Sequence, residues 1–201
     1  MGINILNGVF DVWMAPVGEA FTDLSQAPSG NWAKIGTTGK RHYGEEGVVF
    51  NFDQEVEKHS FAGGTEILKI NRTLEEFKLS FKLFDLVSTE IVKAWNLITT
   101  TTDTAPGASA GGSQDFELLR GLTMTEKAFL IRGENKSTDL STENVQIEIP
   151  AAVQIGNLEM PLNKPDNVGL QFELQAIADY TYNSGASPYG RFFIGDAAPT
   201  S

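Results

Sequence analysis

The chain contains no cysteine, which excludes disulfides and every thiolate metal or redox site, and suits a reducing compartment. It has only two histidines, His42 and His59, seventeen positions apart, and neither forms the HxxxH or HxH pair that sets two imidazoles on one metal. No run of about 18 apolar residues is present to span a membrane. The first residues, MGINILNGVFDVWM, lack the basic start and long apolar centre of a secretory signal, so export by that route is not expected. Basic residues are scarce as well: 15 stand against 26 acids, and the resulting formal charge of -11 repels nucleic acid and anionic membranes.

Catalytic patterns are missing in the same way. Gly36-Thr37-Thr38-Gly39-Lys40-Arg41 has two residues between its glycines where a phosphate loop has four, and Arg41 stands where a magnesium-holding Ser or Thr is needed. No GxSxG elbow occurs, and Asp139 to Glu143 lacks calcium-loop spacing. Glu45-Glu46 and Glu75-Glu76 read as solvated surface. Neither a cofactor nor an enzymatic reaction is expected.

What is present is the material of a β-rich core. Of the 201 residues, 41% are hydrophobic and 13 are Phe, enough apolar surface to offset much of the ordering entropy of one domain. The most informative stretch is Leu74 to Ile98. Phe77, Leu79, Phe81 and Leu83 alternate with Lys78, Ser80 and Lys82, the period-two signature of a half-buried strand. Ile91, Ala94, Trp95 and Ile98 then fall at helical spacing, with Ser88 placed as N-cap and Glu90 in the first turn.

Other strands are expected at Val9–Met14, Trp32–Ile35, Val48–Phe61, Phe116–Leu119, Ala128–Ile131, Val145–Ile149 and Leu170–Ala176. The four glycines between Gly36 and Gly47 predict a loop, and the small, polar Thr99 to Gln114 stretch predicts a long one (99–114) inside the domain. In the strand from Val48, Asp53, Glu55 and Glu57 share one face, which must meet water or a basic partner. The Ala62-Gly63-Gly64-Thr65 turn makes this strand one leg of a protruding hairpin. Eight to ten strands and one helix predict a single domain (1–201): a mainly β, antiparallel sandwich or partly open barrel flanked by the helix, with a C-terminal tail over 184–201.

A resemblance follows from the order of these features. Phe10 to Gly18, Trp32-Ala33-Lys34-Ile35-Gly36, Gly44 to Val48, Asp53 to Glu57, the Gly63-Gly64-Thr65 turn, Glu76 to Leu86 and the Ser88 to Asn96 helix, taken together, resemble the major tail tube proteins of long, non-contractile-tailed bacteriophages. The resemblance covers about residues 9 to 98. It implies a β-sandwich subunit in rings of six, stacked head-to-tail into the tail tube of a virion after assembly in the host cytoplasm. Tape measure, tail terminator and tip proteins are the implied partners, and DNA passes through without specific binding.

By the same resemblance, the stretch over about 56–69 is an arm that reaches a neighbouring subunit, with Lys58, His59, Phe61, Gly63, Gly64 and Ile67 as contact candidates. Rings of six carry roughly -66 charges, so the duplex is repelled and slides. The lumen candidates are Asp53, Glu55 and Glu57, or the polar strand faces carrying Gln146, Glu148, Gln171, Glu173 and Gln175; an outer-surface position is the alternative for both sets. Competing readings are another ring-forming component, such as a tail terminator or an injection-system tube, and an acidic β-sandwich that binds carbohydrate or protein.

Overall fold

A computed structural model describes residues 4–6, 10–36, 43–60, 66–84, 88–95, 102–104, 112–115, 124–137, 142–156 and 169–194. The chain is mainly β, and its main sheet is wholly antiparallel. Its strands are β1 (Asn4–Leu6), β2 (Asp11–Pro16), β3 (Ala33–Lys34), β4 (Tyr43–Ser60), β5 (Ile67–Leu83), β8 (Lys127–Ser137), β9 (Thr142–Gln154), β10 (Leu170–Ala176) and β11 (Arg191–Ile194). The order is β3-β2-β8-β9-β10-β5-β4, with β1 added beside β8 and β11 beside β9. Among the described residues one α-helix, α1 (Ser88–Trp95), follows β5. No helix among the described residues is long and apolar enough to cross a membrane.

Period-two alternation explains the core. In β10, Leu170, Phe172, Leu174 and Ala176 are buried while the residues between them are half-buried. They meet Leu79, Phe81 and Leu83 of β5, with Phe81 and Phe172 stacked at 4.5 Å. Helix α1 closes this face with Ala94 and Ile91. Glu90 Oε2 accepts the Gly36 N–H at 3.0 Å, and Lys93 Nζ donates to the Lys34 carbonyl at 3.1 Å, so the helix is tied to β3 by its polar side chains. A second, smaller core lies on the opposite face of the sheet, where Trp32 and Phe21 cover Ala15, Ala128 and Leu130.

Among the described residues the two ends of the sheet do not join by strand pairing. They approach through one side chain: Tyr43, at the start of β4, donates its hydroxyl to the Ile35 carbonyl at 2.8 Å and accepts the Val12 N–H at 3.2 Å. Burial pushes the Tyr43 phenol well above the ordinary tyrosine range; the Val12 bond opposes this, and the charges of Asp11 and Glu90 add to it. A phenol held neutral by the fold stabilises fully below pH about 10 and loses that contribution as pH rises further, by up to about 1.4 kcal/mol per pH unit. Tyr43→Phe is therefore expected to cost about 1–3 kcal/mol at pH 7, because two buried backbone groups lose their partner. It should also flatten the alkaline limb; melting curves from pH 8 to 11.5 measure both, and an unchanged limb contradicts this role.

Three expectations change. The glycines at 44–47 do not end the strand: Tyr43 pairs with Leu83 and Val48 with Phe81, so Gly44–Gly47 form a wide bulge inside β4, with Gly47 at φ 65°. The 99–114 stretch contains structure, because β6 (Thr102–Thr104) pairs with β7 (Ser113–Asp115). The Arg191–Ile194 part of the tail joins the main sheet. Phe116–Leu119, Ile98 and the final residues, 195–201, lie outside the described residues, as does all of the 36–41 glycine pattern except Gly36.

Candidate functional site

The outer half of the β4–β5 hairpin leaves the body of the protein. Strand β10 pairs with β5 only from Leu83 to Lys78, so from Phe77 outward β5 has β4 as its only partner among the described residues. Residues 51–60 of β4 are all exposed. At about 3.3 Å per residue the projecting ribbon is about 33 Å long. The arm expected at about 56–69 therefore starts earlier, just beyond the level of Asn51 and Lys78. Of the predicted contact residues, Lys58, His59 and Ile67 lie on it and are exposed, whereas Phe61, Gly63 and Gly64 lie outside the described residues.

Register assigns the arm two unlike faces. Residues paired across a ladder share a face, so Phe52 with Phe77, Gln54 with Glu75, Val56 with Arg72, Lys58 with Ile70, and Ser60 with Ile67 form one side, on which apolar side chains alternate with polar and charged ones. Its apolar members are largely uncovered: Phe52 is 50% exposed, Val56 42%, Ile67 53% and Ile70 56%. Two bulges build this stripe. Strand β5 carries one extra residue, Thr73, opposite the Glu55–Val56 step and another, Leu68, opposite His59–Ser60, so strict alternation is reset twice.

The other side holds most of the acids, Glu75 lying on the first beside Arg72. Asp53, Glu55 and Glu57 do share a face and are exposed. Asp53 is partly balanced by Lys78, whose Nζ lies 3.5 Å from it and 2.6 Å from Glu76. The hydrogen bond that Lys78 donates to Glu76, with a smaller contribution from Asp53, holds its ammonium above the ordinary lysine range. Glu57 lies 3.7 Å from His59, which also meets Asn71 at 3.1 Å. Glu173 stands opposite Ser80 and so shares this outer face, half-buried on β10.

Glu148 does not belong in that set. It alternates onto the outer face, but the Phe21–Gln26 segment and Tyr182 cover it, leaving Glu148 3% and Gln146 2% exposed. Its carboxylate accepts from Gln146 Nε2 at 2.6 Å, from Arg191 Nη2 at 3.1 Å and from the Tyr182 hydroxyl. Arg132 extends the network, donating to Gln146 Oε1 at 2.7 Å and to the carbonyls of Thr22 and Asp23 at 2.9 and 2.8 Å. Burial, with the Glu148 bond adding to it, pushes the Tyr182 phenol up to about 12. This cluster fastens β11 to β9. Gly190 permits the approach: its φ is 131°, and a Cβ there would lie 2.0 Å from the Glu148 carbonyl oxygen.

Where β11 meets the root of the arm, the sheet opens into a cleft of about 360 Å³. Its walls are apolar, formed by Phe50, Phe77, Ile147, Ile149, Tyr189 and Phe192. Phe192 stands opposite Ile147 and Ile194 opposite Val145, placing both on the core side, yet they are 52% and 49% exposed. Arm stripe and cleft therefore lie on the same side of one continuous sheet. Sequence reasoning found the arm and its acids but missed Arg132, Tyr182, Arg191 and the cleft; Arg132 directly after the apolar run Ala128–Ile131 was the available signal. No protein-family model matches the chain, and no curated protein matches it.

Proposed function

We propose that this chain is a structural subunit that assembles with copies of itself into rings of six and stacks them into a phage-type tail tube, a conduit for DNA. The observation that carries the reading is the arm: a ribbon about 33 Å long with a row of uncovered apolar side chains along one face, attached to a well-packed body. A monomer gains little from holding Phe52, Val56, Ile67 and Ile70 in water, whereas a neighbour that covers them removes that apolar surface from solvent.

The rest of the molecule suits the role. A curled antiparallel sheet whose ends meet at Tyr43, flanked by one helix, fits the sandwich or partly open barrel expected of a tube subunit. The formal charge of -11 suits a passage that must not retain DNA. In this reading Asp53, Glu55, Glu57 and Glu173 remain lumen candidates, sharing one exposed or half-exposed face. Tape measure, terminator and tip proteins are the partners in a virion tail.

Negative-stain electron microscopy of the purified protein over a concentration series tests this. Rings or long hollow filaments are expected, growing with concentration. A particle that stays single at every concentration rejects the reading and leaves an acidic binding module in its place; rings that never stack point to a terminator-like component.

A further inference from the structure

Resting on the self-assembly reading above, we infer that the cleft between the arm root and β11 receives the arm of a second copy of this chain. Val56, Ile67 and Ile70 of one copy then pack against Tyr189, Phe192 and Ile194 of the next. The two surfaces are matched in chemistry, since each carries exposed apolar side chains, Val56, Ile67 and Ile70 on the arm and Phe192 and Ile194 at the cleft, borne in equal number by every chain. They are also matched in shape. The cleft is bounded by the edge of β11 remote from β9 and by the edge of β5 from Phe77 outward, neither of which is paired among the described residues. An extended ribbon supplies both the apolar filling and the backbone groups that such edges lack.

An arm cannot fill its own cleft. Ile70 pairs with Lys58, eight residues beyond Phe50 in the cleft wall, which places it about 26 Å away along a continuously paired ribbon. Size favours a macromolecular occupant. A ribbon about 33 Å long and about 10 Å across presents on the order of 700 Å² from one face and its flanks, close to the per-partner area of a stable protein interface. Donor and acceptor are different patches of the same chain, so when each copy gives its arm to one neighbour and receives another's, the contact is heterologous and propagates into a ring or a filament; a reciprocal exchange of arms would instead stop at a closed dimer and overturn the link to tube assembly.

The absence of cysteine makes the test direct. A double variant, Ile70→Cys with Phe192→Cys, is treated with a short bis-maleimide at a concentration where the protein assembles. Both positions are half-exposed, so the fold tolerates them. The expected result is a ladder of covalent multimers under denaturing electrophoresis, absent from either single variant and from Ile70→Cys with Gln171→Cys on the polar face. Phe192→Asp is expected to raise the concentration needed for assembly roughly thirtyfold, with near-ultraviolet circular dichroism unchanged.

Rings or filaments seen by microscopy without the ladder would overturn the cleft assignment and leave the self-assembly reading standing. Covalent dimers from Ile70→Cys alone would mean that arms pair with arms, which also overturns it. A protein that never assembles removes both.

Discussion

Glu148→Ala is expected to destabilise the protein by about 2–4 kcal/mol, a fall in Tm of roughly 4–16 °C for a domain of this size. The carboxylate is 3% exposed and accepts three hydrogen bonds, from Gln146, Tyr182 and Arg191. Removing it takes an acceptor from a guanidinium, a phenol and an amide together; Gln146 Nε2 keeps the Thr22 carbonyl at 3.0 Å and Arg191 Nε keeps the Tyr182 oxygen at 2.8 Å, so the cost comes from the remaining donors, the Tyr182 hydroxyl above all. Arg191 is 38% exposed at its side chain and recovers some hydration, which holds the loss below that of a fully buried pair. Glu148→Gln keeps the shape and part of the bonding and should lose about half as much.

The damage is also local. Strand β11 has four residues and, among the described residues, one ladder partner, so amide exchange at Arg191–Ile194 should accelerate well before the rest of the sheet. A Tm within about 2 °C of the parent would show that the network is solvated and that β11 is held by its backbone bonds and apolar side chains.

Legibility from sequence followed the range of the interactions. The β5 alternation and the α1 stripe were readable because each element repeats its own period, and the structure places Leu79, Phe81, Leu83 and Ala94 in one core. The acid face of the arm was readable for the same reason, since β4 runs unbroken from Val48 to Ser60 and period two holds along it. In β5 it fails twice. Strict alternation from Phe77 would put Ile70 beside Leu74 on the acid side, but the extra residue Thr73 moves Ile70 to the apolar side while Leu74 stays opposite Glu55. A bulge costs one residue and leaves no signature in composition.

Glu148 shows the other limit. Alternation correctly put it on the outer face of β9, but exposure is settled by what covers that face. The cover comes from Thr22 and Asp23, more than 100 residues away in sequence, and from Tyr182. Gly44–Gly47 mislead in the opposite direction. Glycines that commonly end a strand instead form a bulge here, because Leu83 and Phe81 hold the ladder on both sides of it.

Replacing Gln54–Glu75 with Asn-Gly should separate folding from assembly. Asp53 pairs with Glu76, so a two-residue turn between them closes the hairpin in its existing register. The deleted β4 residues are all exposed, and the core contacts of Phe50, Phe77 and Leu79 stay in place. The Tm is therefore expected to stay within about 3 °C of the parent, well under the loss that accompanies a damaged core. Assembly should fall by about a hundredfold or more in concentration, as when several central contacts of an interface are removed together.

The shortened chain keeps its cleft, which gives the experiment a second readout. Added to the parent protein, it offers an acceptor for a neighbour's arm but has no arm to extend the chain of contacts, so small amounts should shorten or arrest growing assemblies in a dose-dependent way. Normal assembly of the armless protein would place the interface elsewhere on the sheet and leave the exposed Val56, Ile67 and Ile70 without a role in joining copies.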